Sequence, residues 1–195
     1  MKEPPASKSS GRPDGLRADA ARNRAQVLTA ARRLLTEGDE RLSMNTIARD
    51  AGVGVGTVYR HFPTRQALLE GLAQNSLEVL VRETRQAGGD PDPAVAFGRM
   101  LKAALQGQLE ETALAIILAA ADFECIRTLD LARELGDAVD HVLRRACQAG
   151  VIRAGVSPED IRRLLSGTCH AVRAGTDGTE QADRYLEVLL RGLRP

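Results

Sequence analysis

Residues 43–65 run SMNTIARDAGVGVGTVYRHFPTR, and their pattern predicts two short helices joined by a tight turn. Ser43 suits the N-cap of the first, because its hydroxyl can accept from an otherwise unpaired backbone N–H. Ile47 and Ala48 give that helix an inward face. Gly52 stands where a helix ends on a left-handed residue, and Val53 is expected as a buried plug in the turn. The second helix is expected over 54–62, with Val58 and Phe62 four apart and both facing a core. Gly56 and Arg60 then fall on the opposite face, with Thr57 and Tyr59 on its flanks. Pro63 ends the helix, and Thr64 caps the next. This is a helix-turn-helix, whose second helix enters the DNA major groove.

The charge distribution agrees with a nucleic-acid contact at one end. The chain carries +1 overall, yet residues 1–65 hold 12 Lys and Arg against 7 Asp and Glu, while residues 66–195 hold 15 against 19. A length of 195 residues suits one domain or two small ones sharing a core. Aromatics are 3% and Trp is absent, so the interior must be built from Leu, Ile, Val and Ala. Cys125, Cys147 and Cys169 are an odd, sparse set and make no disulfide framework. With no apolar leader and no long uninterrupted apolar run, the expected setting is a reducing cytoplasm with no membrane span.

Residues 1–17 are rich in Pro, Ser, Gly, Lys and Arg, lack a hydrophobic period and are expected to be disordered. Lys2, Lys8, Arg12 and Arg17 there form either a solvated tail, the simpler account, or a basic arm that touches phosphates or the minor groove. A helix over 19–37 follows, with Val27, Leu28, Ala31, Leu34 and Leu35 on its core face and Gly38 at its end. After the motif, a helix over 64–86 carries Leu68, Leu69, Leu72 and Val79. Gly71 separates a half expected to pack with the motif from a half expected to pack with the remainder. The sequence GGDPDP at 88–93 is the clearest break. Beyond it the pattern predicts five helices and no strand, over 93–106, 110–121, 127–149, 158–174 and 179–193. Residues 113–121 are apolar all round and are expected at the centre. Ser157, Pro158, Glu159 and Asp160 make a strong helix start.

The segments IARDAGV at 47–53, GTVYRHFP at 56–63 and RQALL at 65–69 resemble the DNA-binding domain of the TetR family of transcriptional regulators. The resemblance covers about residues 20–70, and YRHFP is its most specific part. It implies an all-α chain of about nine helices. After the arm of 1–17 would come a three-helix DNA-binding domain over 18–66, then a helical effector-binding and dimerisation domain over 67–195. It also implies that Ser43, Tyr59, His61 and Arg65 hold the DNA backbone, each offering a group suited to an anionic oxygen. Packing of Tyr59 and His61 on their own helix is the alternative. Thr57 and Arg60 can reach base edges. The chain departs from the family's frequent Ser and Lys at the start of the recognition helix, where it has Gly54 and Val55. Val55 offers only apolar contact, while Gly54 and Gly56 let the backbone approach DNA closely. That departure leaves the operator sequence open.

In the resembled family the last two helices pair with their copies as a four-helix dimer interface. Here one stripe is Ile161, Leu164, Leu165, Thr168, Cys169 and Val172, and the other is Ala182, Tyr185, Leu186, Leu189, Leu190 and Leu193. The alternative is that both stripes cover the domain core. A reading module of about 50 residues contacts few bases alone, so a homodimer on a palindromic double-stranded operator is expected. The resemblance further implies a pocket for a small-molecule effector. Phe97, Met100 or Phe123 would line it with aliphatic residues, and Asp122, Glu124 and His170 are candidate polar anchors.

The resulting expectation is a ligand-responsive repressor that is no enzyme and needs no cofactor or metal. Gly52, Gly54 and Gly56 do not make a dinucleotide fingerprint, since no strand precedes them and Thr57 takes the last glycine's place. Asp137 and His141, four apart, and the neighbours Cys169 and His170 are weak as zinc ligands. Two rival readings are a DNA-binding protein that senses oxidation through its cysteines and a small all-helical enzyme.

Overall fold

The computed structural model describes residues 13–39, 41–175 and 178–195, and all regular structure among them is helical. The order is α1 (Pro13–Thr36), α2 (Met44–Ala51), α3 (Val55–His61), α4 (Arg65–Gly88), α5 (Pro93–Glu110), α6 (Thr112–Ala120), α7 (Ile126–Gln148), α8 (Pro158–Ala174) and α9 (Gly178–Gly192). The chain divides into two compact units, one ending at Pro63 and one beginning at Thr64.

In the first unit α1 starts at Pro13, well before the expected residue 19. Proline at a first helical position with an acid beside it is a start signal, so the expected arm is helical from Pro13 on. Lys2, Lys8 and Arg12 lie outside the described residues. The helix ends on Gly38 at φ +89°. The Gly38 N–H donates to Leu35 O at 3.1 Å and the Asp39 N–H to Leu34 O at 2.9 Å, so two orphan carbonyls are satisfied. Gly52, at φ +68°, ends α2 in the same way through Arg49 O and Ala48 O. A side chain at either glycine would be strained.

Val27, Ala31, Ile47, Val58 and Phe62 meet in the core of this unit, joined by Leu42 and Met44. Leu28 and Val53 are half-buried, so Val53 is less than the buried plug expected. Arg33 on α1 pairs with Asp50 on α2 at 2.6 Å. The Arg24 guanidinium lies 5.2 Å over the Phe62 ring, a cation–π contact that tethers α1 to the end of α3.

In the second unit α4 is continuous through Gly71 and lies wholly within this unit. The Thr64 hydroxyl caps it by accepting the Ala67 N–H at 2.9 Å. Its buried stripe continues through Leu77, Leu80 and Val81, and the expected Val79 is half-buried beside it. α4 packs against α5, α6 and α7. Phe97, Met100, Leu101, Leu105, Val142 and Leu165 belong to the main core. α6 is not fully enclosed: Leu114 and Ile117 are buried, but Ala119, Ala120 and Ala121 are exposed, because the helix ends at the surface. Arg145 on α7 donates to Gly88 O at 2.6 Å and to Asp90 O at 2.7 Å, holding the GGDPDP turn. At the start of α8, Ser157 and Asp160 form a reciprocal capping box.

Candidate nucleic-acid interface and effector cavity

The first unit presents α3 with one face buried and one open. Val58 and Phe62 anchor the helix in the core. Val55 is 41% and Tyr59 51% exposed, and Gly54, Gly56 and Arg60 are also exposed. Thr57 and His61 are half-buried. The His61 ring lies 6.4 Å from that of Phe62, so it is partly a packing residue. Ser43 is exposed at the N-cap of α2, but its hydroxyl makes no capping bond there. Its carbonyl accepts the Ile47 N–H, the first bond within the helix. Arg65, the first residue of α4, is exposed in the second unit.

Nothing in the protein itself requires glycine at the two open positions of this helix. Gly54 has φ −67°. A Cβ at Gly56 would meet nothing within 4 Å, and one at Gly54 only Thr57 Oγ1 at 3.9 Å.

The second unit contains a cavity of about 190 Å³ walled by α4, α5, α6, α7 and α8. Its lining is aliphatic, from residues such as Leu80, Leu135, Val139 and Ile161, with Phe123 as the aromatic member. Gln108, Arg162 and Ser166 are the polar ones. Phe97 and Met100 do not line it. Both are almost fully buried in the main core, where a Phe and a Met at helical spacing fill space. Asp122, Glu124 and His170 are exposed and do not line it either.

Two of those acids belong to a different arrangement. Glu70, only 1% exposed, accepts the Glu124 N–H at 2.7 Å and the Cys125 N–H at 2.9 Å. It thereby supplies the cap that Cys125, the N-cap residue of α7, does not make with its own side chain. Gln66 donates to Asp122 O at 2.7 Å, and the Thr64 hydroxyl donates to Glu124. The first turns of α4 thus hold the segment 122–125. Burial pushes the Glu70 carboxyl up, but the Glu124 and Cys125 N–H groups, with Thr128 and the Cys125 side chain, outweigh it and leave its pKa below 4.5. Sequence reasoning passed over Glu70.

Of the expected dimer residues, Ile161, Leu165, Cys169, Val172, Ala182, Leu186 and Leu193 are buried within a single subunit. Leu164 is 40% exposed, and Thr168, Tyr185, Leu189 and Leu190 are half-buried. Val188, outside the expected stripe, is 65% exposed. The periodicity therefore marks the core face of both helices, with part of each stripe left open at its edge. Cys125, Cys147 and Cys169 are all free thiols. Among the described residues no group of three or more His, Cys, Asp or Glu is placed to hold a metal ion. No described helix is long and apolar enough to cross a membrane.

Residues 27–72 match the family described as "Bacterial regulatory proteins, tetR family". Residues 92–195 match "Transcriptional regulator SbtR-like, C-terminal domain". An HTH-type transcriptional regulator of Staphylococcus aureus (strain USA300) is 37% identical over 76 residues, which are 38% of this chain and 41% of the relative. The chain thus spans about two fifths of the length of the curated relatives it matches. The solved TetR transcriptional regulator SCO0520 from Streptomyces coelicolor is 30% identical, with 88% of this chain and 98% of that one covered at a TM-score of 0.50. KstR2, a ketosteroid transcriptional regulator of Mycobacterium tuberculosis, shares the fold at a TM-score of 0.64 and 19% identity, over 88% of this chain and 95% of that one. Matched along both of its units, the chain belongs to the TetR family of transcriptional regulators.

Proposed function

We propose that the chain is a homodimeric repressor that binds a palindromic DNA operator and is released when a small molecule enters the cavity of its second unit. The observation that carries the ligand response is the Glu70 contact. Ala121 and Phe123 line the cavity, and the segment they begin is bonded to Glu70, Gln66 and Thr64 at the start of α4. Ala121 also sits at φ +52°, a left-handed conformation that strains a non-glycine residue. An occupant that moves this segment acts on the first turns of α4, which begins two residues after Pro63 in the chain. The response is a population shift: the effector favours a state whose recognition helices no longer match successive major grooves.

DNA contact rests on the open face of α3. Tyr59, with Ser43, His61 and Arg65, holds phosphates, while Thr57, Arg60 and the Gly54–Val55–Gly56 edge face the bases. Dimerisation rests on the apolar side chains left uncovered on the last two helices, Leu164 and Val188, with exposed Gly167 allowing close approach.

Selection of DNA from a random pool tests the reading. The expected product is an inverted repeat with half-site centres about 34–36 Å apart, bound with affinity that falls steeply as salt rises. Recovery of sequences with no preference, or of a single unrepeated site, would overturn it.

A further inference from the structure

Two of the residues that line the cavity carry buried polar atoms without partners. Gln108 is 2% exposed. Its Nε2 donates to Ala104 O at 3.1 Å. That bond fixes the amide's orientation, because a flipped amide would set its oxygen against a carbonyl. The other end, Oε1, is buried and has no hydrogen-bond partner, and the same holds for Ser166 Oγ. Gln108 comes from α5 and Ser166 from α8, and both line the cavity. A buried acceptor left unpaired is a standing cost to the folded chain, and these two recur at one otherwise aliphatic void.

The charge in the wall is already spent. Among the described residues that line the cavity, Arg162 has the one ionisable side chain. Its Nε and Nη2 donate to the two carboxylate oxygens of Glu159 at 2.7 and 2.6 Å. Its Nη1 donates to Leu118 O at 2.8 Å and Ala119 O at 2.6 Å, in the last turn of α6. The Arg162 hydrogen bonds hold the Glu159 carboxyl down to about 2, so Glu159 stays ionised, and its Oε1 is shared with Arg163 Nε at 2.7 Å. An anion in the cavity would have to compete with Glu159 for Arg162, and a cation would find no carboxylate in the lining.

We propose that the cavity takes a neutral, largely apolar molecule bearing a hydroxyl or amide N–H that donates to Gln108 Oε1, with Ser166 Oγ as its second hydrogen-bonding contact. This rests on reading the cavity as the effector site. Arg162 closes one wall by tying α8 to α6, so an occupant sits between these two helices and α5.

Three probes with one body separate the classes: 4-butylphenol, 4-butylanisole and 4-butylbenzoate, titrated calorimetrically into the DNA-free protein. The phenol is expected to bind about tenfold or more tighter than the anisole, which lacks the donor, and the benzoate to bind weakest. Gln108→Met should abolish the phenol's advantage while leaving anisole affinity in place. Gln108→Met and Ser166→Ala should each raise the melting temperature of the empty protein by about 2–4 °C, because each removes an unpaired buried atom. A purely structural glutamine would give the opposite change. Equal affinity for phenol and anisole, tightest binding of benzoate, no binding of any probe at millimolar concentration, or a lowered melting temperature for Gln108→Met would each overturn the proposal. DNA affinity is read separately by fluorescence anisotropy. A phenol that binds in the expected order without weakening DNA binding supports the ligand class and sinks the effector role.

Discussion

Glu70, in the second turn of α4, caps α7 from outside it, its carboxylate accepting the Cys125 N–H at 2.9 Å across 55 positions of sequence. A carboxylate at a helix N-terminus satisfies orphan donors and complements the positive end of the helix dipole. Because its folded pKa lies below its ordinary 4.5, the stability it contributes is fully present above about pH 4.5 and is lost as pH falls through the folded value. Glu70→Gln keeps an acceptor but sets an N–H₂ against a backbone donor. We expect it to cost about 1–3 kcal/mol at pH 7 in denaturant titrations. The gap between variant and wild type should close on acidification below pH 4.5, and a gap that stays constant with pH would show that the carboxylate is not the stabilising form.

Gly56 is the second test. It lies inside α3 with open space where a Cβ would go, so Gly56→Ala should stabilise the protein by up to about 1 kcal/mol through helix propensity. The same methyl stands on the face proposed to meet DNA. We therefore expect a higher melting temperature together with weaker operator binding in anisotropy titrations. A variant that gains stability and keeps full affinity would remove Gly56 from the interface.

The dimer is tested at Val188. Its exposure in the single subunit means that Val188→Asp costs the subunit's own core little, unlike a charge at half-buried Leu189. Sedimentation equilibrium at micromolar concentration should show a dimer for wild type and a monomer-shifted species for Val188→Asp combined with Leu164→Asp, with unchanged helical circular dichroism. A monomeric wild type rules the interface out.

The contrast between what could and could not be read beforehand follows from how local each signal is. Gly52, Pro63 and Thr64 act through their own backbone, and Val58 and Phe62 through i,i+4 spacing, so the motif was legible in 43–65. The start of α1 was misplaced because the polar composition of 1–17 masked the proline signal at Pro13. Glu70 reads in sequence as a solvated acid on an amphipathic helix, and only the approach of the segment 122–125 makes it a buried cap. Phe97 and Met100, expected in the pocket lining, fill the core instead. Apolar periodicity was blind to Gln108 and Ser166, because a polar residue interrupts no apolar pattern. The stripes of α8 and α9 were real, and part of the face they marked is buried inside the subunit, while Leu164, Thr168, Tyr185, Leu189 and Leu190 stay partly open.

Arg60 carries the last prediction. Val58 at 0% exposure fixes the rotation of α3, and Arg60, two residues on, is exposed. Within α3 it is the one Lys or Arg, since the positions that often hold Ser and Lys in this family are Gly54 and Val55. On the proposed docking of α3, polar base reading falls mainly to this side chain and to half-buried Thr57. A bidentate Arg60–guanine pair would be worth about 1–3 kcal/mol of discrimination. A phosphate contact would add affinity without preference. Binding selections on randomised DNA with wild type and Arg60→Ala separate these roles. We expect preference to vanish at one position per half-site, with the salt dependence of binding to the remaining sequence little changed. A uniform loss of affinity across all sequences, with the salt slope shallower by about one, would instead assign Arg60 to the DNA backbone.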